Sequence, residues 1–294
     1  MLGSSIGKDM RTRGTARRAG LLAAALALAG CTAQGPDQSP PVENTAPDSA
    51  ALARSAPVDY AAIVASRGRT EADLAADPLR QPVDMLSFAG IRPGMAVVEM
   101  MPGGGYFSRL FAPALGEKGR LVFYVPEEMA GNRFAPLDGA RKLQDALSAP
   151  PTSGETLAGP AVSVASYPMA GPVPADMAER FDVVWTSRNY HDFHNLPGFD
   201  GRTANAMIMD LLKPGGVYIV LDHAAPDGSG ASMTGTTHRI DADLVRREVE
   251  SAGFLYDASS AVLKNPEDDR TGSVYSGPMK GRTDQFVMRF RKPG

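Results

Sequence analysis

The 294-residue sequence predicts an α/β fold, a mostly parallel sheet covered by helices on both faces, and three observations predict it. Short β-branched runs, at Val97-Val98, Val183-Val184 and from Val217 to Asp222, alternate along the chain with stretches of helical period. Turns rich in Gly and Pro punctuate them, Pro102 to Gly105 after one run and Lys213 to Gly216 before another. Two further runs, Phe254 to Ser259 and Gln285 to Arg291, read as a closing pair of strands.

The chain opens on a processing signal. Arg11, Arg13, Arg17 and Arg18 form a positive stretch, and the apolar run Leu21 to Ala29 is too short for a membrane-spanning helix, which takes about 20 residues. The run ends Leu28-Ala29-Gly30-Cys31, which resembles the lipobox of bacterial lipoprotein signals, where cleavage falls before a cysteine that is then acylated. Cys31, the single cysteine of the chain, is therefore the expected lipidation site, and an intrachain disulfide is impossible. An ordinary signal, or a buried N-terminal helix, is the plainer alternative.

Residues 1–30 are thus read as a lipoprotein-type signal peptide. Residues 31–56, rich in Pro, Ala, Ser and Asp, are read as a disordered tether, because they hold too little apolar surface to offset ordering. Residues 57–294 form the folded domain, long enough for a substantial core. The expected location is the bacterial cell envelope, facing the periplasm, with membrane contact only through the lipid at Cys31. A net charge of −3 gives no basic face, so no nucleic-acid partner is expected.

Within the domain, Val58 to Ser66 reads as helix, and a second helix from Thr70 to Ala76 is capped by Thr70 and stopped by Asp77-Pro78. Val83 to Ala89 sends Met85, Leu86 and Phe88 inward, and Ala96 to Met101 is the first strand. The helix after the glycine turn aligns Phe107, Leu110 and Phe111, with Pro113 expected to bend or shorten it. Strand two is Leu121 to Val125. Leu137 to Leu147 is helical, Pro150-Pro151 marks a surface insertion, and Ala161 to Ala165 is the third strand. Phe181 to Thr186 is the fourth. Asp200 caps a helix to Leu212, the Lys213-Pro214-Gly215-Gly216 turn leads into strand five, and Asp241 caps a helix to Ala252 with Val245 and Val249 inward. The Gly-rich stretch 225–237 is read as a mobile lid or as disorder without a role.

This order of elements resembles class I S-adenosylmethionine-dependent methyltransferases, whose fold is a Rossmann-like sheet of seven mostly parallel strands. Val97-Val98-Glu99 through Gly105 is similar to the family's glycine-rich first motif, Phe181 to Trp185 to its fourth strand, and Leu211 to Val217 to its turn into strand five. More narrowly, Pro102 to Tyr106, Arg188-Asn189-Tyr190-His191, Asp222-His223 and His238-Arg239-Ile240-Asp241 resemble a group of exported predicted methyltransferases. The resemblance implies S-adenosylmethionine as cofactor and methyl transfer to a small molecule. The alternative is a non-catalytic or metal-dependent small-molecule-binding protein on a degenerate methyltransferase scaffold. The sequence departs from the family's pattern at Met101, where the motif's first glycine stands, and at Val125 and Ser166, where acids stand after strands two and three.

In such sheets ligands bind beyond the carboxyl ends of the strands. The resemblance accordingly makes Glu99, Pro102, Gly103, Gly104, Gly105, Tyr106, Glu127, Arg188 and Asn189 the candidate cofactor residues. Glu99 would hold an ammonium or merely order the turn, and Glu127, or its neighbour Glu128, would substitute for the missing ribose-binding acid. Tyr106 and Tyr190 would cover a ring or simply pack.

All four histidines, His191, His194, His223 and His238, fall in loops at this edge. An imidazole with a pKa near 6.5 can take a proton from the methyl acceptor. His191, His223, Tyr190, Asp222, His238 and Arg239 are the catalytic candidates, with Asp222 or Asp192 orienting a histidine. A metal held by His191 and His194 with His223 or His238 is the other chemistry, and loop-shaping hydrogen bonds the plain one. Arg188 and Arg239 would fork onto a carboxylate or pair with Asp192, Asp222 or Asp241.

Overall fold

A computed structural model describes residues 57–131, 133–149 and 159–294. The signal peptide, the tether with Cys31, and Pro150-Pro151 lie outside the described residues. Among those described, no helix is long and apolar enough to cross a membrane.

Three short helices come first: α1 (Tyr60–Val64), α2 (Glu71–Arg80) and α3 (Pro82–Ala89). Then follow β1 (Ala96–Met100), α4 (Ser108–Leu115), β2 (Arg120–Tyr124), α5 (Glu127–Ala130), α6 (Pro136–Ser148) and β3 (Ala161–Ala165). The second half holds β4 (Phe181–Ser187), α7 (Tyr190–Phe193), α8 (Gly201–Leu211), β5 (Leu212–His223), α9 (Ala242–Ser251), β6 (Leu255–Ser260) and β7 (Gln285–Arg291).

The seven strands form one sheet in the order β3-β2-β1-β4-β5-β7-β6. The first five pair in parallel, and β7 runs antiparallel between β5 and β6. This is the Rossmann-like sheet expected from the sequence. Its central strands are apolar on both faces because helices cover both: Val98, Met100, Val184 and Val220 enter one core, while Val97, Val183, Trp185 and Ile219 enter the other. The chain order reverses between β1 and β4, so the loops leaving their ends diverge and open a crevice.

Four expectations change. Helix α2 does not stop at Asp77-Pro78 but runs to Arg80. Pro78 lies in its last turns, where a missing N–H forfeits one bond, and the segment is tied down by Asp77, which accepts from Arg69 Nη1 at 2.8 Å and from the Tyr106 hydroxyl at 2.6 Å. Helix α4 runs on through Pro113 to Leu115. The Lys213–Gly216 turn is an irregularity inside one long β5, since Phe181 pairs with Leu212 and Val183 already with Val217. Finally, the stretch 225–237 is neither a free lid nor disorder: Gly228 and Gly230 N–H groups donate to Asp241 Oδ2, and buried Thr234 donates to Asn195.

Candidate functional site

At the crevice between the ends of β1 and β4 lies a cavity of about 730 Å³, within the usual range for small-molecule sites. One wall is the turn after β1. Met101 keeps the left-handed backbone (φ 51°) that a glycine would adopt freely, so the missing first glycine of the motif alters the residue and not the course of the chain. Gly103 is also left-handed, at φ 56°. Gly104 has an ordinary φ and open space where a Cβ would stand, on the cavity wall. Gly105 does something else. It is buried at φ 78°, and a Cβ there would meet Leu143 Cδ1 at 2.6 Å, so this glycine admits α6 rather than a ligand. It does not border the cavity, as the sequence had suggested.

Glu99 and Pro102 border the cavity with Gly103 and Gly104. Glu99 is 3% exposed and accepts from Ser108 Oγ. Burial drives its pKa up to about 8, against the pull of Ser108 and Arg109, so the empty-handed side chain is largely a neutral acid at pH 7. Arg109 braces the turn, donating to Gly104 O at 2.7 Å and forking onto Asp73 at 2.6 and 2.8 Å. Burial works against ionisation of Asp73, but Arg109 and the Thr70 N–H prevail and hold its pKa at about 2. Helix α2 is thereby clamped over the glycine turn.

The lining is also cationic. Arg188, at the left-handed φ of 59°, uses Nε to donate to Gln285 Oε1 at 2.8 Å. Arg80 lies with its guanidinium 4.4 Å from the centre of the Tyr106 ring. Both border the cavity, and neither forms an ion pair among the described residues. Burial and the charge of Arg80 push the pKa of Arg188 down to about 10; burial lowers that of Arg80 as well. Asn189 completes the lining. Its Nδ2 donates to Met100 O at 2.9 Å, while its Oδ1 is buried with no partner among the described residues.

Beyond Asp192, a second hollow of about 480 Å³ shares Met101, Phe134, Asp192 and Tyr275 with the first, and His238 borders it. Behind this junction His191 is fully buried. Its Nδ1 bonds Asp222 Oδ1 at 2.8 Å, and its Nε2 lies 3.2 Å from His238 Nδ1 and 3.4 Å from Asp192 Oδ1. Burial disfavours charge on the ring, yet Asp222 and Asp192 outweigh it and lift the pKa to about 10. His191 is fully buried and borders neither hollow, so it does not face a bound acceptor as the expected base would. Both carboxylates proposed to orient a histidine are on this one, and Asp222 is held ionised despite burial chiefly by the His191 charge.

Other candidates fall elsewhere. His223 bonds Thr283 Oγ1 through Nδ1 at 2.6 Å, borders neither hollow, and is held neutral by burial, its pKa near 3 despite Asp222. His194 turns to Glu248 at 3.1 Å. Tyr190 is buried, donating to Glu248 and accepting from Asn205, so of its two readings packing is the one present. Arg239 is not a ligand fork: fully buried, it pairs with Asp268 at 2.9 and 3.1 Å and donates to Gly272 O and Ala224 O. Its partner is none of the three acids expected. Glu127 is exposed and borders neither hollow, and the Glu128 side chain accepts from Met169 N–H, so neither stands in for the missing acid. Sequence reasoning missed Arg80, Asp73 and Tyr275; the cap of α2 pointed to the helix but nothing in the spacing pointed to the glycine turn beneath it.

No protein-family model and no curated protein matches the sequence. Among solved structures, the chain is similar to a SAM-dependent methyltransferase from Aquifex aeolicus, at 15% identity over 80% of this chain and 99% of that one, with a TM-score of 0.47. It is also similar to an arsenic(III) S-adenosylmethionine methyltransferase from Chlamydomonas reinhardtii (14% identity, 82% and 75% covered, TM-score 0.49). A third is the N-methyltransferase NodS from Bradyrhizobium japonicum (16%, 76% and 96%, 0.42). These likenesses concern the course of the chain and not its chemistry.

Proposed function

We propose that the chain is an envelope-anchored enzyme that binds S-adenosylmethionine in the larger hollow and transfers its methyl group to a small molecule. The observation that carries this reading is the pairing of one buried carboxyl, Glu99, with two guanidiniums that pair with no acid among the described residues, Arg188 and Arg80, around one hollow beside a glycine turn. An α-amino acid headgroup presents an ammonium and a carboxylate, and such a wall matches both charges. Gly104 gives a ligand close approach to the backbone, and Asn189 Oδ1 offers an acceptor that the protein itself leaves open. Bound there, S-adenosylmethionine supplies a methyl group on a sulfonium, an excellent leaving group, so the protein's task is largely alignment. Asp192 and His238 border the smaller hollow, whereas His191 and His223 border neither.

The anchoring half of the reading rests on the Leu28-Ala29-Gly30-Cys31 signal and the polar stretch after it. Cys31→Ser is expected to abolish labelling by a radioactive fatty acid and to move the protein from the membrane to the soluble fraction. For the cofactor, calorimetric titration of the purified full chain with S-adenosylmethionine should give a single site. Arg188→Ala should weaken binding by about ten- to hundredfold, the worth of a charge-assisted hydrogen bond. Absence of binding at millimolar cofactor would sink the reading.

A further inference from the structure

Three side chains from two separate segments converge where the two hollows meet. His191 and Asp192 come from α7, and His238 from the strained residue that precedes the buried Arg239–Asp268 pair. Their facing atoms form a nearly equilateral triangle: His191 Nε2 to His238 Nδ1 is 3.2 Å, His191 Nε2 to Asp192 Oδ1 is 3.4 Å, and His238 Nδ1 to Asp192 Oδ1 is 3.5 Å. From this we infer that His191, Asp192 and His238 form a binding site for a divalent first-row transition ion, with zinc the best match.

The dimensions select the ion. A tetrahedral zinc with bonds of about 2.05 Å to nitrogen and oxygen has ligand–ligand edges of about 3.3 Å, and an octahedral ion of similar bond length has edges nearer 3.0 Å. The observed triangle fits one face of the tetrahedron, and of its corners Asp192 borders both hollows and His238 the smaller one. Two imidazoles and one carboxylate are also the donor set that nitrogen-preferring ions take, and one that magnesium and calcium avoid.

The surroundings support the same assignment. Asp222 bonds His191 Nδ1 at 2.8 Å and its backbone N–H at 2.8 Å, which fixes the ring with Nε2 toward the triangle. A carboxylate behind a ligating imidazole is the usual outer support of a metal site. Asp222 and Asp192 together place two negative charges around the point a dication would occupy. His238 sits at φ 58°, a backbone cost of order 1–2 kcal/mol for a side chain of this kind. It is imposed by neighbours: Ile240 N–H to His223 O, Val274 N–H to Thr237 O, and the four hydrogen bonds of Arg239. Strain maintained at one residue and aimed at two other ligands marks a built feature. His194 and His223, the other two histidines, are directed to Glu248 and Thr283 and take no part.

The site does not depend on S-adenosylmethionine binding, and the test keeps the two apart. The full chain, prepared without a polyhistidine tag, is stripped with chelator and titrated with zinc by calorimetry, then loaded with cobalt. One equivalent of zinc and the intense visible absorption of four-coordinate cobalt are expected. His238→Ala and Asp192→Asn, whose side chains are 30% and 28% exposed and so are tolerable losses to the fold, should each weaken zinc binding at least tenfold. Asp222→Asn should weaken it by about ten- to hundredfold through His191, and His194→Ala should leave it unchanged. No uptake, weak six-coordinate cobalt absorption, or affinity indifferent to His238→Ala and Asp192→Asn overturns the assignment, as does an equal loss in His194→Ala.

Discussion

Asp222 grips His191 twice, through the backbone N–H and through Nδ1, both at 2.8 Å, with neither residue exposed to solvent. The same carboxylate accepts the His223 N–H at 2.7 Å, so one side chain at the end of β5 fixes the start of α7 and its own strand end. Removing one partner of a buried charged pair costs about 3–5 kcal/mol. Asp222→Ala is therefore expected to lower the unfolding free energy by that amount in urea denaturation; an unchanged midpoint contradicts the role assigned to Asp222.

Glu99 makes stability depend on pH in an unusual sense. Its folded pKa, about 8, lies above the ordinary 4.5, so the folded state holds the proton more tightly. The contribution is complete below about pH 4.5, falls as pH rises toward 8, and is flat beyond, for a total on the order of 5 kcal/mol. Glu99→Gln, which stays neutral, should gain on the wild type across that interval when both are unfolded in urea at successive pH values. A difference that does not vary between pH 5 and 8 counts against a buried neutral acid. For the same reason a ligand ammonium seated on Glu99 should release a proton, and its affinity should rise with pH up to about 8.

The glycines of the turn should separate cleanly. Gly104→Leu fills the hollow without backbone strain and is expected to leave the melting temperature within a few degrees while abolishing S-adenosylmethionine binding. Gly105→Ala should do the reverse kind of damage, costing about 1–3 kcal/mol of stability through overpacking against Leu143 and a left-handed alanine. Thermal melts and calorimetry on the two variants read both effects; identical behaviour would mean that the two glycines do not divide the work.

Arg239→Ala strands Asp268 in the interior. Destabilisation of about 3–5 kcal/mol is expected in chemical denaturation. Because Arg239 borders neither hollow, cofactor affinity measured well below the melting temperature should change less than threefold. A large loss of affinity in a stable variant would place Arg239 in the site after all.

The sheet was legible in the sequence because its signals are local. Val97-Val98 and Val183-Val184 can only belong to strands covered on both faces, and Val245 and Val249 were correctly set inward because helical period determines a face. The two prolines misled for the opposite reason. Pro113 simply stays inside its helix, and Pro78 is accommodated where Asp77 is tied to Arg69 and Tyr106, contacts that spacing along the chain does not reveal. In the site, Glu99, Gly104, Arg188 and Asn189 could be named because a strand end decides which way they face. Arg80, from a helix before the first strand, could not, because only three-dimensional packing brings it across the glycine turn. The histidines gathered at one edge as expected, but the way each ring is held follows from Asp222 and Thr283, partners 31 and 60 residues distant from His191 and His223.

Gln285 begins β7, the last strand to enter the sheet, and it is the residue that holds Arg188. β7 slots between β5 and β6 instead of adding to an edge, so those two strands cannot close on each other beforehand. The glycine turn, α7 and the imidazoles all precede residue 285 in the chain by some distance, yet the Arg188 Nε finds its partner only there. One wall of the hollow therefore hangs on a contact between residues 97 positions apart in the chain.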